Sequence, residues 1–254
     1  MRTVLTALTV LVATLILAPT VIVARLLGLP EGEHSVPQWC MRNWARVICF
    51  AGGAKLVVHH PERKLHGRGV VYASNHVSWF DVFAIASVVS RYTFIAKSEL
   101  RRLPLFGWGA EAAGVVFLAR ENRKAAFESY HGASGEVARG RSVVVFPEGT
   151  RGHSYSLRSF KKGPFVLAIA AGAPVVPVVV YGAREMMPKG SFRVRPNVVH
   201  IHFLEAVETA GLDYDKRHDV MRQVWDRMAE CLRAEYGIGT SEHPIAEPTA
   251  ERTA

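Results

Sequence analysis

The sequence has few cysteines, and they lie far apart. Only Cys40, Cys49 and Cys231 occur among 254 residues, and no CxxC pair is present. A disulfide framework or a cysteine-based zinc site is therefore not indicated, and a reducing compartment is the simplest interpretation. Internal repeats and an evident linker between two domains are also missing. We expect one sizeable domain with appendages.

Acidic residues are scarce relative to basic ones. The chain has 22 Asp and Glu against 31 Lys and Arg, which gives a formal net charge of +9. Such an excess suggests an anionic partner, which could be a nucleic acid, a membrane surface or a phosphorylated substrate. Charge alone does not choose among the three.

Charge is absent from residues 3–24, which Arg2 and Arg25 bracket. As a helix, this segment would be roughly 33 Å long, close to the hydrocarbon thickness of a bilayer. A cleaved signal peptide is the alternative, but the run is long for one and residues 22–24 form a poor cleavage site. We predict an uncleaved membrane segment, which Pro19 would kink, so that it spans the membrane or dips into one leaflet.

Residues 36–53 follow with apolar positions at helical spacing, interrupted by polar ones. Trp39 and Trp44 interleave with arginines, a pattern typical of a membrane interface. A core-facing amphipathic helix is the alternative. Together the two segments predict an N-terminal membrane-associated unit over residues 1–53.

Beyond residue 54, short β-branched runs alternate with helical stretches. This pattern predicts an α/β domain over residues 54–236, with a mixed, largely parallel sheet flanked by helices. The polar tail, residues 237–254, is predicted to be disordered. The predicted strands are 55–60, 69–74, 93–97, 114–118, 142–146, 175–182 and 198–204, and the predicted helices are 80–90, 105–112, 122–139, 164–172 and 214–236.

The stretch NHVSWFD, residues 75–81, leaves a strand and enters a helix. Ser78 and Asp81 fit a capping box, which would explain both residues without catalysis. His76 is left unexplained, and it follows a strand where α/β sheets place ligands. The Asp81 carboxylate could fold back to the imidazole and fix its tautomer. From this stretch alone, a helix cap and a catalytic pair both remain possible.

The turn FPEGTRG, residues 146–152, follows another strand. If the sheet is parallel, Glu148, Gly149, Thr150 and Arg151 lie at the same edge as His76. Arginine can bind a phosphate with two hydrogen bonds. An ordinary polar turn with a surface ion pair is the alternative.

Several other cations follow predicted strands or precede a helix. Lys97 and Arg120 end two strands, and Lys161 and Lys162 precede the helix that begins near Pro164. These side chains could form a basic mouth for a phosphate, although the two lysines could equally belong to a solvated loop.

Two histidine pairs resemble metal ligands: His59 with His60, and His200 with His202. At strand spacing they are better interpreted as residues on the face of a sheet. We therefore predict no metal site.

Four segments together resemble a known family. NHVSWFD, GVVFLAR (114–120), FPEGTR (146–151) and VVPVVV (175–180), in this order and at these separations, are similar to the four motifs of the glycerolipid acyltransferases. Bacterial 1-acyl-sn-glycerol-3-phosphate acyltransferases are the most similar. The resemblance covers roughly residues 36–210 and departs from the family only at uncharged positions, Val116 and Gly152.

The resemblance implies roles for individual residues. His76 would be the general base that deprotonates the acceptor hydroxyl, and Asp81 would orient it. Pro177 would shape the acyl-binding region. The positions matching the family's site for the acceptor's glycerol phosphate are Arg120, Glu148, Gly149, Thr150 and Arg151, with Lys97 as a weaker candidate.

The expected activity is transfer of a fatty acyl group from a thioester, acyl-CoA or acyl carrier protein, to the sn-2 hydroxyl of 1-acyl-sn-glycerol 3-phosphate. Phosphatidic acid would be the product. Alternatives are another acceptor (glycerol 3-phosphate, another lysophospholipid or a lyso-aminolipid), thioester hydrolysis, and a non-catalytic binder. The expected partners are membrane lipids and the acyl donor, without nucleic acid, cofactor or metal. The expected location is the inner membrane, with the catalytic domain facing the cytoplasm.

Overall fold

The computed structural model describes residues 1–118, 123–240 and 244. Short 3-10 turns cover Pro61–Arg63, Ser98–Arg102 and Tyr214–Lys216. The helices described are α1 (Arg2–Leu26), α2 (Val36–Gly52), α3 (Trp79–Val88), α4 (Phe106–Ala112), α5 (Arg123–Ala138), α6 (Gly163–Ala171), α7 (Ala183–Met186) and α8 (Arg217–Tyr236). The strands described are β1 (Ala54–His59), β2 (Val71–Ser74), β3 (Tyr92–Lys97), β4 (Val116–Leu118), β5 (Ser142–Val145), β6 (Val175–Tyr181) and β7 (Asn197–Phe203).

The described strands form one sheet in the order β1-β7-β6-β2-β5-β3-β4. Every neighbouring pair is parallel except β6 and β7, which run antiparallel. The predicted mixed, largely parallel sheet is therefore confirmed. It follows from the sequence because the central strands β2, β5 and β6 are almost wholly buried, as strands covered on both faces must be, and β5 and β6 are valine-rich.

Two hydrophobic cores lie on the two faces of this sheet. One packs α5, α6 and α8 against it, and the other packs α2, α3 and α7. Alternate residues of β6 serve the two cores: Val179 points to the first, while Val178 and Val180 point to the second. Because β2 and β5 are parallel neighbours, the loops that follow them, which contain His76 and Arg151, emerge at the same edge.

Helix α1 runs without interruption through Pro19 and packs against α2 and α4. Its outward side chains are exposed and apolar, Leu8 and Leu15 among them. By length and composition α1 could cross a membrane, and only 17% of its most apolar window is buried. Helix α2 joins α1 to the domain. Its Ile48 is completely buried, while its Trp39 is exposed.

The start of the last helix differs from the predicted one. The last helix begins at Arg217 rather than at residue 214, because the Asp213 side chain accepts a hydrogen bond from the Asp215 amide and closes a 3-10 turn first. The predicted disorder of residues 237–254 falls mostly outside the described residues. Within that tail, Pro244 is buried and its carbonyl accepts a hydrogen bond from the Phe160 amide, 2.9 Å away.

Candidate active site

The Asp81 carboxylate organises the turn from β2 into α3. The residue is completely buried, and its Oδ2 accepts hydrogen bonds from the backbone amides of Val77 (2.6 Å) and Ser78 (2.7 Å). The same oxygen lies 3.0 Å from Nδ1 of His76. The predicted capping box is also present, with the Ser78 hydroxyl accepting from the Phe80 amide. One carboxylate therefore caps the helix and holds the imidazole.

The two residues that flank the His76–Val77 pair, Asn75 and Ser78, form hydrogen bonds to β6 and to the segment after it. The Asn75 side chain exchanges two hydrogen bonds with the backbone of Val180, at 2.9 and 2.8 Å. The Ser78 hydroxyl donates to the carbonyl of Met187 at 2.8 Å. The turn that carries His76 is thus tied to the sheet on both flanks and has little freedom to move.

The turn after β5 clamps the backbone of His76. The Glu148 carboxylate accepts a hydrogen bond from the His76 amide (3.0 Å), and the His76 carbonyl accepts one from the Gly152 amide (2.7 Å). The imidazole stacks on Phe146, with ring centroids 4.1 Å apart. The two predicted motifs therefore meet, and the second one positions the first.

Arg158 completes this clamp and was missed by the sequence reasoning. Its Nε donates to Glu148 at 3.0 Å, and its guanidinium also donates to the carbonyl of Thr150. The Glu148 side chain is only 2% exposed, and burial raises its pKa even though the His76 amide and Arg158 act in the opposite direction. Arg158 lies in a loop outside the recognised motifs, and the only available signal was that a buried glutamate needs a partner.

Arg151 lies over the ring of Trp79. Its guanidinium carbon is 5.1 Å from the centroid of the Trp79 ring, at the distance of a cation–π contact. Burial lowers the pKa of Arg151, and the Asp81 charge opposes this effect. Gly149 takes a φ of +80°, which a residue with a side chain rarely adopts, and so allows the sharp turn that presents Thr150 and Arg151.

An apolar cavity opens beside these residues. Its volume is about 810 Å³, and its walls come from α1, α2, α3, β3, β4 and α4. The charged or polar residues that line it include His76, Lys97, Glu99, Thr150 and Arg151. This geometry joins a hydrogen-bonded imidazole and two cationic side chains to a large apolar space.

Not all of the predicted site residues line the cavity. Lys161 and Lys162 precede α6 and are exposed, and they are not among the residues that line the cavity. Pro177 lies within β6 opposite Ala73 of β2 and does not line the cavity either. Arg120 lies outside the described residues.

Chemically, the His76–Asp81 pair can accept a proton from a hydroxyl group, and the cations can bind an anion beside it.

Comparisons with known proteins place the chain in a family. A family model described as Acyltransferase matches residues 55–181, half of the chain. A 1-acyl-sn-glycerol-3-phosphate acyltransferase of Saccharomyces cerevisiae is 31% identical over 204 residues, which cover 76% of this chain and 67% of the yeast protein. The chain therefore belongs to the acyltransferase family.

Other relatives agree on the family and differ in the acceptor that their names give. A chloroplastic 1-acyl-sn-glycerol-3-phosphate acyltransferase of Brassica napus is 39% identical over 121 residues, 48% of this chain. The match spans only about a third of that relative's length, 35%. A lyso-ornithine lipid O-acyltransferase of Pseudomonas aeruginosa is 32% identical over 170 residues, 61% of this chain and 64% of that protein.

The fold also has a counterpart among solved structures. The 1-acyl-sn-glycerophosphate acyltransferase of Thermotoga maritima superimposes with a TM-score of 0.72. The alignment covers 95% of this chain and all of that one, at 24% sequence identity. The α/β architecture with its N-terminal helices is thus shared.

Arg158→Ala should destabilise the fold by roughly 1–3 kcal/mol, because it removes a hydrogen-bonded partner from a buried carboxylate. Without that cation the pKa of Glu148 should rise further above its ordinary value of 4.5. A carboxyl whose pKa is raised on folding favours the folded state at low pH and loses that contribution as pH rises. Thermal unfolding should therefore show a larger loss at about pH 8 than at about pH 5.

Arg68→Ala is the matched control, because Arg68 pairs with Glu208 at the surface, where both side chains are half exposed. We expect that variant to stay within about 0.5 kcal/mol of the wild type at either pH. If Arg158→Ala is as stable as the wild type at both pH values, the clamp on His76 does not depend on this arginine.

Proposed function

We propose that the protein transfers a fatty acyl group from a thioester to the sn-2 hydroxyl of 1-acyl-sn-glycerol 3-phosphate and so forms phosphatidic acid. The observation that carries this proposal is the His76–Asp81 pair, 3.0 Å apart, whose imidazole lines an apolar cavity of about 810 Å³ together with the cations Lys97 and Arg151. Family membership supplies the reaction class, and the cavity with its cations suits an amphipathic, phosphate-bearing substrate.

In the proposed reaction, Asp81 holds Nδ1–H of His76, which leaves the lone pair on Nε2 for catalysis. Nε2 takes the proton of the acceptor hydroxyl as its oxygen attacks the thioester carbonyl carbon. The C–O bond forms, the C–S bond breaks, and the leaving thiolate takes the proton from the imidazolium. A general base of this kind contributes on the order of 10²–10⁴ in rate. The step needs neither a covalent acyl-enzyme nor a cofactor.

The acceptor's phosphate is assigned to Arg151 and Lys97, the cations that line the cavity beside His76. Glu148 fits a positioning role better than direct contact with the glycerol phosphate, because its carboxylate is buried and engaged by the His76 amide and Arg158. Thr150 is exposed at the rim and could bind a glycerol oxygen.

The acyl chains are assigned to the apolar cavity. Side chains of α1 line it, among them Leu11 and Leu17, and other side chains of α1 are exposed on the outer surface. A lipid could therefore pass from the bilayer to His76 along one helix without crossing water. The donor, acyl-CoA or acyl carrier protein, is assigned to the same cavity by its acyl chain.

A lyso-aminolipid is the second candidate acceptor, because the name of one relative gives a lyso-ornithine lipid as its acceptor. That acceptor carries a headgroup without a glycerol phosphate, so Arg151 and Lys97 would have a different anion to bind. The transfer chemistry at His76 would be unchanged.

We further propose that α1 inserts its outer face into one leaflet of the inner membrane, with the α/β domain on the cytoplasmic side. The inner face of α1 packs on α2 and α4 and builds a wall of the cavity, so a helix that crossed the bilayer alone would open the site. The basic net charge would then face anionic headgroups.

The activity is tested with the purified full chain in mixed micelles. The acceptors are lysophosphatidic acid, glycerol 3-phosphate, a lyso-ornithine lipid and water alone, each with acyl-CoA or acyl carrier protein, and products are identified by mass. We expect phosphatidic acid as the dominant product and little thioester loss without an acceptor. Dominant acylation of the lyso-ornithine lipid would establish the second acceptor class, and equal thioester loss in water would indicate a hydrolase.

The membrane proposal is tested by flotation with phosphatidylglycerol–phosphatidylethanolamine vesicles. Leu8→Asn places an amide on the outer face of α1 and should weaken vesicle binding at least roughly tenfold, because burial of a leucine contributes about 1.5–3 kcal/mol. Leu212→Asn is the control: Leu212 is also partly exposed but precedes α8, on the opposite side of the sheet from α2. Equal binding of the two variants would exclude α1 as the inserted surface.

A further inference from the structure

Three histidines meet on the face of the sheet that α8 covers. His59 ends β1, and His202 on β7 is its register partner across the parallel pair. His200 precedes His202 by two residues, so both side chains point to the same face. His60 follows the strand and is exposed, with its ring 3.3 Å from Glu62 instead.

The three rings are close enough to share one ion. Nε2 of His59 lies 2.9 Å from Nδ1 of His200, and the rings of His59 and His202 stack with centroids 4.0 Å apart. One nitrogen from each ring can be chosen so that all lie within 4.8 Å of one another. Tetrahedral zinc with Zn–N bonds of about 2.0–2.1 Å holds its ligand nitrogens ~3.3 Å apart. Rotations of the rings that open the parallel stack of His59 and His202, whose planes lie 3° apart, would bring the three nitrogens to that spacing.

The surroundings suit a cation as well. The Tyr236 hydroxyl lies 2.6 Å from Nε2 of His202 and holds that ring, as partners outside the ligand set commonly hold metal-bound imidazoles. His202 is buried, whereas His59 and His200 are partly exposed, so an ion can enter from solvent. The charge of Glu235 also reaches His59 and favours positive charge there.

The electrostatics agree with this geometry. Burial first, and then the neighbouring histidines, lower the pKa of His202 to about 4. Burial and His200 lower the pKa of His59 as well. Neutral imidazoles keep the lone pair that a metal ion requires.

We propose that His59, His200 and His202 bind one borderline divalent cation, with Zn²⁺ as the ion whose geometry fits best. Imidazole is a preferred ligand for such ions, and a three-histidine site leaves a fourth position for water. The ion joins the edge strand β1 to β7 beside the end of α8. Because β7 and β6 separate β1 from β2 in the sheet, the cation stabilises the fold and takes no part in acyl transfer.

The test is a Zn²⁺ titration of the full chain, freed of any histidine tag and stripped with EDTA, in competition with a chromophoric chelator. We expect one equivalent to bind to the wild type and to raise its Tm. His59→Asn and His200→Asn should each bind at least roughly tenfold more weakly. They should keep the wild-type rate of acyl transfer, which also reports that they are folded.

His66→Asn is the matched control, because His66 is exposed and lies in the loop before β2. It should bind Zn²⁺ as the wild type does. Equal Zn²⁺ affinity in the wild type and in the His59 and His200 variants, or substoichiometric binding by the wild type, would overturn the proposal. The three rings would then be sheet-face residues that bond only to one another and to Tyr236.

Discussion

The site depends on one oxygen atom, Oδ2 of Asp81, which accepts hydrogen bonds from two backbone amides and faces the His76 imidazole. A completely buried carboxylate is tolerated only when such donors offset the loss of water around it. The donors exist because the chain turns sharply from β2 into α3. The start of α3 and the position of the His76 imidazole are therefore set by the same carboxylate, so a helix cap and the proposed catalytic pair are compatible interpretations of NHVSWFD.

The remaining parts of the site are arranged around this fixed turn. Parallel pairing of β2 with β5 brings the FPEGTRG turn alongside, and Glu148 clamps the backbone of His76 from there. The cavity is lined by His76 and by residues of this turn, and α1 completes its wall. The helix that suggests membrane attachment thus also encloses the space assigned to the acyl chain, which would couple substrate access to the bilayer.

Local patterns predicted much of this architecture, because β-branched runs and the capping box act over a few residues. The partners of those elements depend on tertiary pairing and could not be predicted in the same way. Arg158 reaches Glu148 across a loop without motif character, and His59 meets His200 and His202 only because two strands about 140 residues apart pair in one register. Arg120, whose role in phosphate binding is inferred from the resemblance, lies in a part of the chain that the structure does not describe.

The most direct test of the central claim is the rate of acyl transfer by purified His76→Ala, measured beside His66→Ala, which removes an exposed histidine from the loop before β2. If His76 is the base held by Asp81, its removal should lower kcat on the order of 10²–10⁴-fold, while the control keeps the wild-type rate. A near-wild-type rate for His76→Ala, in a variant that melts like the wild type, would contradict the account.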